Sequence, residues 1–565
     1  MMNGKRLFAL LLAAALLLAS APIADARYEA FEHPNVPYSE MVFRGVDLDG
    51  VEAQCARFAA DPLGEYEALV ALFDEVYTQK ALASIRMCEN PADDAARAES
   101  EQADNDFSRA ADAIYSALGE ALAGRHGAAL AALMPEGEAE GFFGYEPTDE
   151  AEFETQSEEN ALLQAYYALP YDDAFAPRAA ELYLRLLELR RREAERAGYD
   201  SFADYAYRAL FSREYSPEEA KALARVVKQK LAPLYVRCML ALDRRDVPWD
   251  EADVPSDAEI LDALQAHMGD VSGELTEALD YLRRNGLYRI GGEPMYNTGF
   301  TDDLPAYRAA FLYNYADTRF AAFEDTVHEF GHFNASYHDP TPMLYRYDNI
   351  DVSEIQSQAL ELLFIPCLQD ILAGTDEDAR AVVELLALTR ILGSMVDGCM
   401  YDEFEQAAYA TPSLTAEGLN ELERELERAY GLDALYGDEP FWCAIPHLFE
   451  QPFYYISYAV SALPALDVWL RAQTDYDAAV ETYLNVSEAR TDAWLLDVLY
   501  DNGLCDVTDP AEVRRLADGV CERLDPLIDR RGRSAAYLLA AGGAVLVLGF
   551  GVMFLLRRRN NTTLR

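Results

Sequence analysis

His328 and His332 stand four residues apart in the run His328-Glu329-Phe330-Gly331-His332. On a helix, residues at that spacing project from one face, one turn apart, so both imidazoles reach a single zinc ion. Glu329 is rotated off the pair but stays beside the metal. There its carboxylate takes a proton from a zinc-activated water. The chemistry such a trio performs is hydrolysis, and the remaining question is what completes it.

A catalytic zinc needs a third protein ligand and one open position. His338, ten residues after His328, has the third-ligand spacing of the metzincin pattern HExxHxxGxxH, but Ala335 occupies the place of that pattern's Gly. Glu354 is the other candidate. It lies in a stretch, 351–361, that reads as a second helix, apolar at Leu360, Leu363 and Phe364. Glu354 and Glu361 are two turns apart and share a face. The first is suited to the metal and the second to hydrogen-bonding a ligand His and fixing its orientation. Glu354 is the favoured ligand and His338 the alternative.

Attack on a peptide carbonyl puts negative charge on its oxygen, and an imidazole or phenol aimed there stabilises it. His447 and Tyr458 are the candidates. Tyr454 and Tyr455 lie four and three residues before Tyr458, so either shares its face and is a candidate for substrate contact. Two aromatic stretches, 296–300 and 309–315, read as short strands directly ahead of the His motif. The second is expected to offer an exposed edge to an extended peptide.

The elements that must hold these groups are mostly helical. Residues 175–197 have apolar side chains three and four apart, Ser216-Pro217-Glu218-Glu219 opens a helix expected to run to about Leu242, and 417–430 is similar. The acidic, Gly- and Pro-spotted stretch 134–158 reads as a long loop. With 565 residues, 51% of them apolar, the chain can bury a large core. It carries 99 acidic against 47 basic residues, a net charge of -52. That excludes nucleic-acid binding, which needs basic patches, and suits a solvated surface.

The two ends carry targeting signals. Lys5 and Arg6, the apolar run 7–18 and Ala24-Asp25-Ala26 read as an export signal over residues 1–26. Residues 535–556 hold no charge, are long enough to span a bilayer, and are followed by Arg557, Arg558 and Arg559. The expectation is an exported, single-pass protein of the cell membrane, with the catalytic region outside and a cytoplasmic tail at 557–565. Eight scattered cysteines allow some pairing, Cys505 with Cys521 being nearest in sequence, or buried free thiols.

Three blocks together resemble the oligoendopeptidase F and thimet oligopeptidase family of zinc peptidases. His328-Glu329-Phe330-Gly331-His332 matches its HExGH, including the Gly. Ser353-Glu354-Ile355-Gln356-Ser357-Gln358 with Glu361 is similar to its third-ligand helix. Ile445-Pro446-His447 with Phe453-Tyr454-Tyr455 and Tyr458 is similar to its downstream block. The stretch 197–205 resembles a family segment too. The resemblance implies a mostly α fold in which two helical lobes, 27–210 and 211–505, enclose a deep channel. One zinc per chain would lie at an HExxH core beside a small sheet; the likeness ends near Leu504, and the segment 506–534 is expected to be juxtamembrane from the membrane reading instead. It implies a zinc metalloendopeptidase that cleaves internal bonds of oligopeptides, with Glu329 as general base. The rival readings are a metzincin-type protease using His338 and a catalytically silent peptide-binding surface protein.

Overall fold

The helix signals set helix ends in the fold. The Ser216 hydroxyl accepts the Glu219 N–H, and the Glu219 carboxylate accepts the Ser216 N–H in return, so a helix opens at Pro217. It reaches Leu242 through one π-turn, Val227–Leu231, placed just ahead of Pro233, whose missing N–H the wider turn accommodates. Helices at Phe175–Arg196 and Ala416–Tyr430 fall on their expected spans. The expected loop at 134–158 is shorter than read. Asp149 accepts the Glu152 N–H, and Glu150 and Glu152 sit in the positive first turn, so Glu150–Tyr167 is a helix.

The computed structural model describes residues 33–530, apart from 136, 146, 171, 347–348, 434, 437–439 and 490–492. The elements that build the site are, in chain order, α1 (Leu48–Ala60), α2 (Tyr66–Glu89), α3 (Asp94–Ala123) and α4 (Asp257–Val271). Then come β1 (Tyr288–Gly291), β2 (Gly299–Leu304) and β3 (Ala309–Tyr315). They are followed by α5 (Arg319–His338), α6 (Ile350–Leu363), α7 (Ile365–Ala373), α8 (Glu377–Ala410), α9 (Ile456–Ala472) and α10 (Pro510–Asp529). The sheet order is β1-β3-β2, with β1 parallel and β2 antiparallel to β3.

Strand β3 is therefore central, and the expectation that 309–315 forms a free edge is corrected. Its sequence, apolar at nearly every position, is buried on both faces, as an inner strand requires. The mixed Gly-Phe-Thr-Asp-Asp-Leu of β2 suits the edge it occupies beside α5. β1 has four residues, too few for a periodic signal, and was not expected.

One large core joins side chains from both expected lobes: Tyr183 and Leu187 share it with Phe404, Trp442 and Phe449. Helix α8, 34 residues long, runs through it buried on most sides. A smaller core lies among α1, α2 and α3 and is closed by Met343, Leu344 and Tyr345 from the α5–α6 connection. The Tyr66 and Tyr345 hydroxyls meet there at 2.6 Å, and Asp74 Oδ1 accepts the Met343 N–H at 3.1 Å. The connection between the two site helices is thus anchored on the N-terminal helices.

The segment expected to be juxtamembrane is, as far as Asp529, helix α10. Its Val513, Leu516, Ala517, Val520, Leu524 and Leu527 are buried in the main core. No helix of the described residues is long and apolar enough to cross a membrane. The expected export signal, membrane helix and tail lie outside the described residues. All eight cysteines, Cys505 and Cys521 among them, are free thiols.

Candidate active site

Helices α5 and α6 bring the three donors together. Glu354 Oε2 lies 3.5 Å from His328 Nε2 and 3.8 Å from His332 Nε2. Tetrahedral ligands about 2.1 Å from one shared zinc stand about 3.4 Å apart, so the spacing fits one ion. The donor set, two imidazoles and a carboxylate, is that of a catalytic zinc with one position left open. The two helices approach so closely because residue 331 is Gly. A Cβ there would stand 2.7 Å from Ser357 Cα and 2.9 Å from the Gln356 carbonyl oxygen.

Charge also favours a cation. Glu329, Glu354 and Glu361 are all buried, and among the described residues the ion-pair partners of Glu354 and Glu361 are the two histidines. Burial raises the Glu354 carboxyl against the opposing pull of His328, Tyr454 and Ser357. Glu361 Oε1 lies 2.5 Å from His328 Nδ1, which turns Nε2 of that ring toward Glu354. Burial alone would push His328 down. The Glu361 carboxylate, with Glu354 and Glu329 nearby, overrides burial and lifts it to about 10. His332 is driven well down by burial and then by His328, so it stays neutral, whereas His328 would have to release its Nε2 proton to bind a metal.

Glu329 faces β2. Burial pushes its carboxyl up to about 8, against the pull of His328, with Glu354 adding to the rise. Thr301 Oγ1 lies 3.2 Å from Glu329 Oε2 and 2.8 Å from its carbonyl oxygen. A Cβ on Gly299 would stand 2.6 Å from Glu329 Oε1. Gly299→Ala is therefore expected to push the carboxylate aside and lower kcat by about 10- to 100-fold. Thermal unfolding should stay unchanged, because the displaced atom ends a side chain. Peptide hydrolysis and a melting curve on one preparation check it.

His338 is not brought to the site. Ala335 leaves no break, so α5 continues to His338. At about 1.5 Å per residue, that places it about 15 Å along the axis from His328 and about 9 Å from His332. Its ring packs edge-on against Tyr337.

The helical turn Pro446–Glu450, Tyr454 and the first turn of α9 supply further side chains. Tyr454 Oη donates to Glu354 Oε1 at 2.6 Å, and Tyr458 Oη lies 3.4 Å from His447 Nε2. Burial lowers His447 to about 4, leaving a neutral imidazole. Tyr455 packs behind His447 and Tyr458, its ring centroid 5.4 Å from those of both. It is buried edge-on against Tyr401, and its carbonyl lies where α8 passes closest, at Gly398. Tyr454 and Tyr458 are four apart, and Tyr455 packs among His447, Tyr458 and Tyr401 of α8.

Four groups that sequence reasoning did not single out fix this geometry. Thr301 and Gly299 hold Glu329. Ser357 Oγ lies 3.1 Å from Glu354 Oε2; its i+3 position after Glu354 was the available signal. Arg213 ties the start of α9 to α6. Its Nη2 donates to the Phe453 carbonyl at 2.9 Å and to Ser457 Oγ at 2.8 Å, and its Nε lies 3.5 Å from Asp351 Oδ2, three residues before Glu354. Phe453 has a left-handed φ of 68°, a strained turn for a bulky residue, and Glu405 Oε2 holds its N–H at 2.9 Å. Arg213→Ala would leave Asp351 buried without its partner, so a loss of about 3–5 kcal/mol in unfolding free energy is expected. A fall in kcat from the loosened Phe453 turn and the start of α9 should accompany it. Denaturant unfolding with steady-state kinetics on the same variant measures both.

No protein-family model matches the sequence, and no curated protein matches it. The fold does match solved structures. PZ peptidase A, solved with an inhibitor, superposes with a TM-score of 0.74 at 17% identity, over 86% of this chain and 99% of that one. A protein from Bacillus anthracis strain Ames, assigned as an oligoendopeptidase F, gives 0.72 at 16% identity, over 88% and 100%. Metallocarboxypeptidase 1 of Trypanosoma cruzi gives 0.54 at 13% identity, over 84% and 100%. The resemblance to oligoendopeptidase F carried by three sequence blocks is thus matched by a likeness of fold over 86–88% of the chain.

Proposed function

We propose that the chain is a zinc metalloendopeptidase of the oligoendopeptidase F and thimet oligopeptidase family that hydrolyses internal bonds of short peptides. The observation that carries this reading is the convergence of His328, His332 and Glu354 with Glu329 at their side. Bound by those three residues, zinc supplies a Lewis acid that polarises the carbonyl and acidifies water. The other steps belong to the chain's own groups. Glu361 holds the His328 Nδ1 proton and the ring's orientation. Tyr454 holds the Glu354 carboxylate. Glu329 takes a proton from the attacking water and passes it to the leaving amine. Tyr458 and His447 aim a hydroxyl and an imidazole at the developing oxyanion. The free edge of β2, whose Thr301 touches Glu329, pairs with the extended substrate backbone in the role first expected of 309–315.

No covalent intermediate is needed, so no Ser or Cys nucleophile is assigned. A channel between two helical lobes restricts substrates to oligopeptides. We further propose, on the sequence alone, an exported enzyme tethered by the apolar stretch 535–556. Because the fold is shared with a metallocarboxypeptidase, release of terminal residues is the second reading. Mass spectrometry of peptides of about ten residues after incubation with the full chain separates the two. Internal fragments are expected. Stepwise loss of C-terminal residues would give the second reading instead, and intact peptides would overturn both.

A further inference from the structure

A second group of potential metal ligands lies away from the catalytic trio, between α4 and α7. His267 and Asp270 are one helical turn apart on α4, with His267 Nδ1 3.3 Å from Asp270 Oδ2. The Cys367 thiol on α7 points at the same turn, with Sγ 3.8 Å from the His267 carbonyl oxygen. The nitrogen, carboxylate and sulfur donors all lie within 4.8 Å of one another.

We propose that His267, Asp270 and Cys367 form a second zinc site, one that clips α7 to α4. The donor chemistry selects the ion. A thiolate with an imidazole and a carboxylate suits tetrahedral Zn2+ and disfavours Ca2+ and Mg2+, which take oxygen donors. Access is open on one side and closed on the other. Asp270 is exposed and His267 part-exposed, so an ion and a water in the fourth position can enter, while Cys367 is buried. Burial, with Asp270 and Asp370 nearby, pushes the thiol up to about 12, so without a cation the sulfur keeps its proton. On binding, Cys367 releases that proton to solvent and coordinates as the thiolate.

The position gives the clip a purpose. α7 follows directly on α6, which carries Glu354 and Glu361. Tyr476 Oη donates to the Leu363 carbonyl at 2.9 Å at that junction. An ion at His267, Asp270 and Cys367 would pin the C-terminal end of α6 to α4 without touching substrate. The inference is independent of the peptidase reading.

The test is a cobalt(II) titration of the full chain after removal of metal by a chelator. His328, His332 and Glu354 contain no sulfur. A sulfur-to-cobalt charge-transfer band in the near ultraviolet therefore reports thiolate ligation alone. The expected result is a saturable band in the natural chain, absent in Cys367→Ser and needing at least about tenfold more cobalt in His267→Ala. Zn2+ should also raise the melting temperature of the natural chain more than that of Cys367→Ser. No band at saturating cobalt in the natural chain would overturn the proposal, whatever the folding of the variants. An undiminished band in Cys367→Ser would overturn it as well.

Discussion

Glu329→Gln is expected to keep its metal and lose its activity. The side chain keeps its size and its contact with Thr301, and Glu329 is not one of the three donors, so metal content should match the natural chain. What disappears is the proton acceptor, and kcat should fall by about 10²–10⁴. The loss cannot be laid to unfolding. The natural carboxyl is buried and pushed up to about 8, so burial already favours its neutral form, and a neutral amide of the same size is accommodated there. Metal analysis by mass spectrometry, with kcat on a quenched peptide, checks both halves. Cleavage at the natural rate would remove Glu329 from the chemistry.

Gly331→Ala is expected to damage the metal site without touching a ligand. The added Cβ would meet Ser357 Cα at 2.7 Å and the Gln356 carbonyl at 2.9 Å, both backbone atoms of α6. Neither can swing aside as a side-chain end can, so α6 must shift from α5, carrying Glu354 away from the His pair. Overpacking of this kind costs about 1–3 kcal/mol. The metal should bind about 10- to 100-fold more weakly. Equilibrium dialysis against a zinc buffer, beside a denaturant unfolding curve, measures the two. Natural metal affinity in this variant would show that helix spacing at Gly331 does not set the site.

How far the sequence reaches depends on the range over which each device acts. His328, Glu329 and His332 were legible because a helix turns a four-residue spacing into a shared face. Glu354 and Glu361 were legible for the same reason, two turns apart on α6. The choice against His338 was legible at Ala335, where an unbroken helix carries that imidazole away from the pair. Thr301 and Arg213 were not. Each acts on a partner far along the chain, Glu329 in one case and Phe453 with Asp351 in the other, and no local pattern encodes those meetings. The tyrosines divide in the same way. Their spacing allowed Tyr454 and Tyr455 alike; Tyr454 reaches Glu354, while Tyr455 packs among His447, Tyr458 and Tyr401. The sheet was half legible. The apolar run 309–315 identified a strand, but its burial on both faces is what made it central and left the edge to β2.

The most direct measurement is a crystal of the zinc-loaded full chain with anomalous scattering recorded on both sides of the zinc absorption edge. The expected result is a peak in contact with His328 Nε2, His332 Nε2 and the Glu354 carboxylate, with Glu329 beside it and no contact to His338. A peak bound by His338 in place of Glu354, or no peak at the His pair in crystals that still cleave peptides, would contradict the assignment.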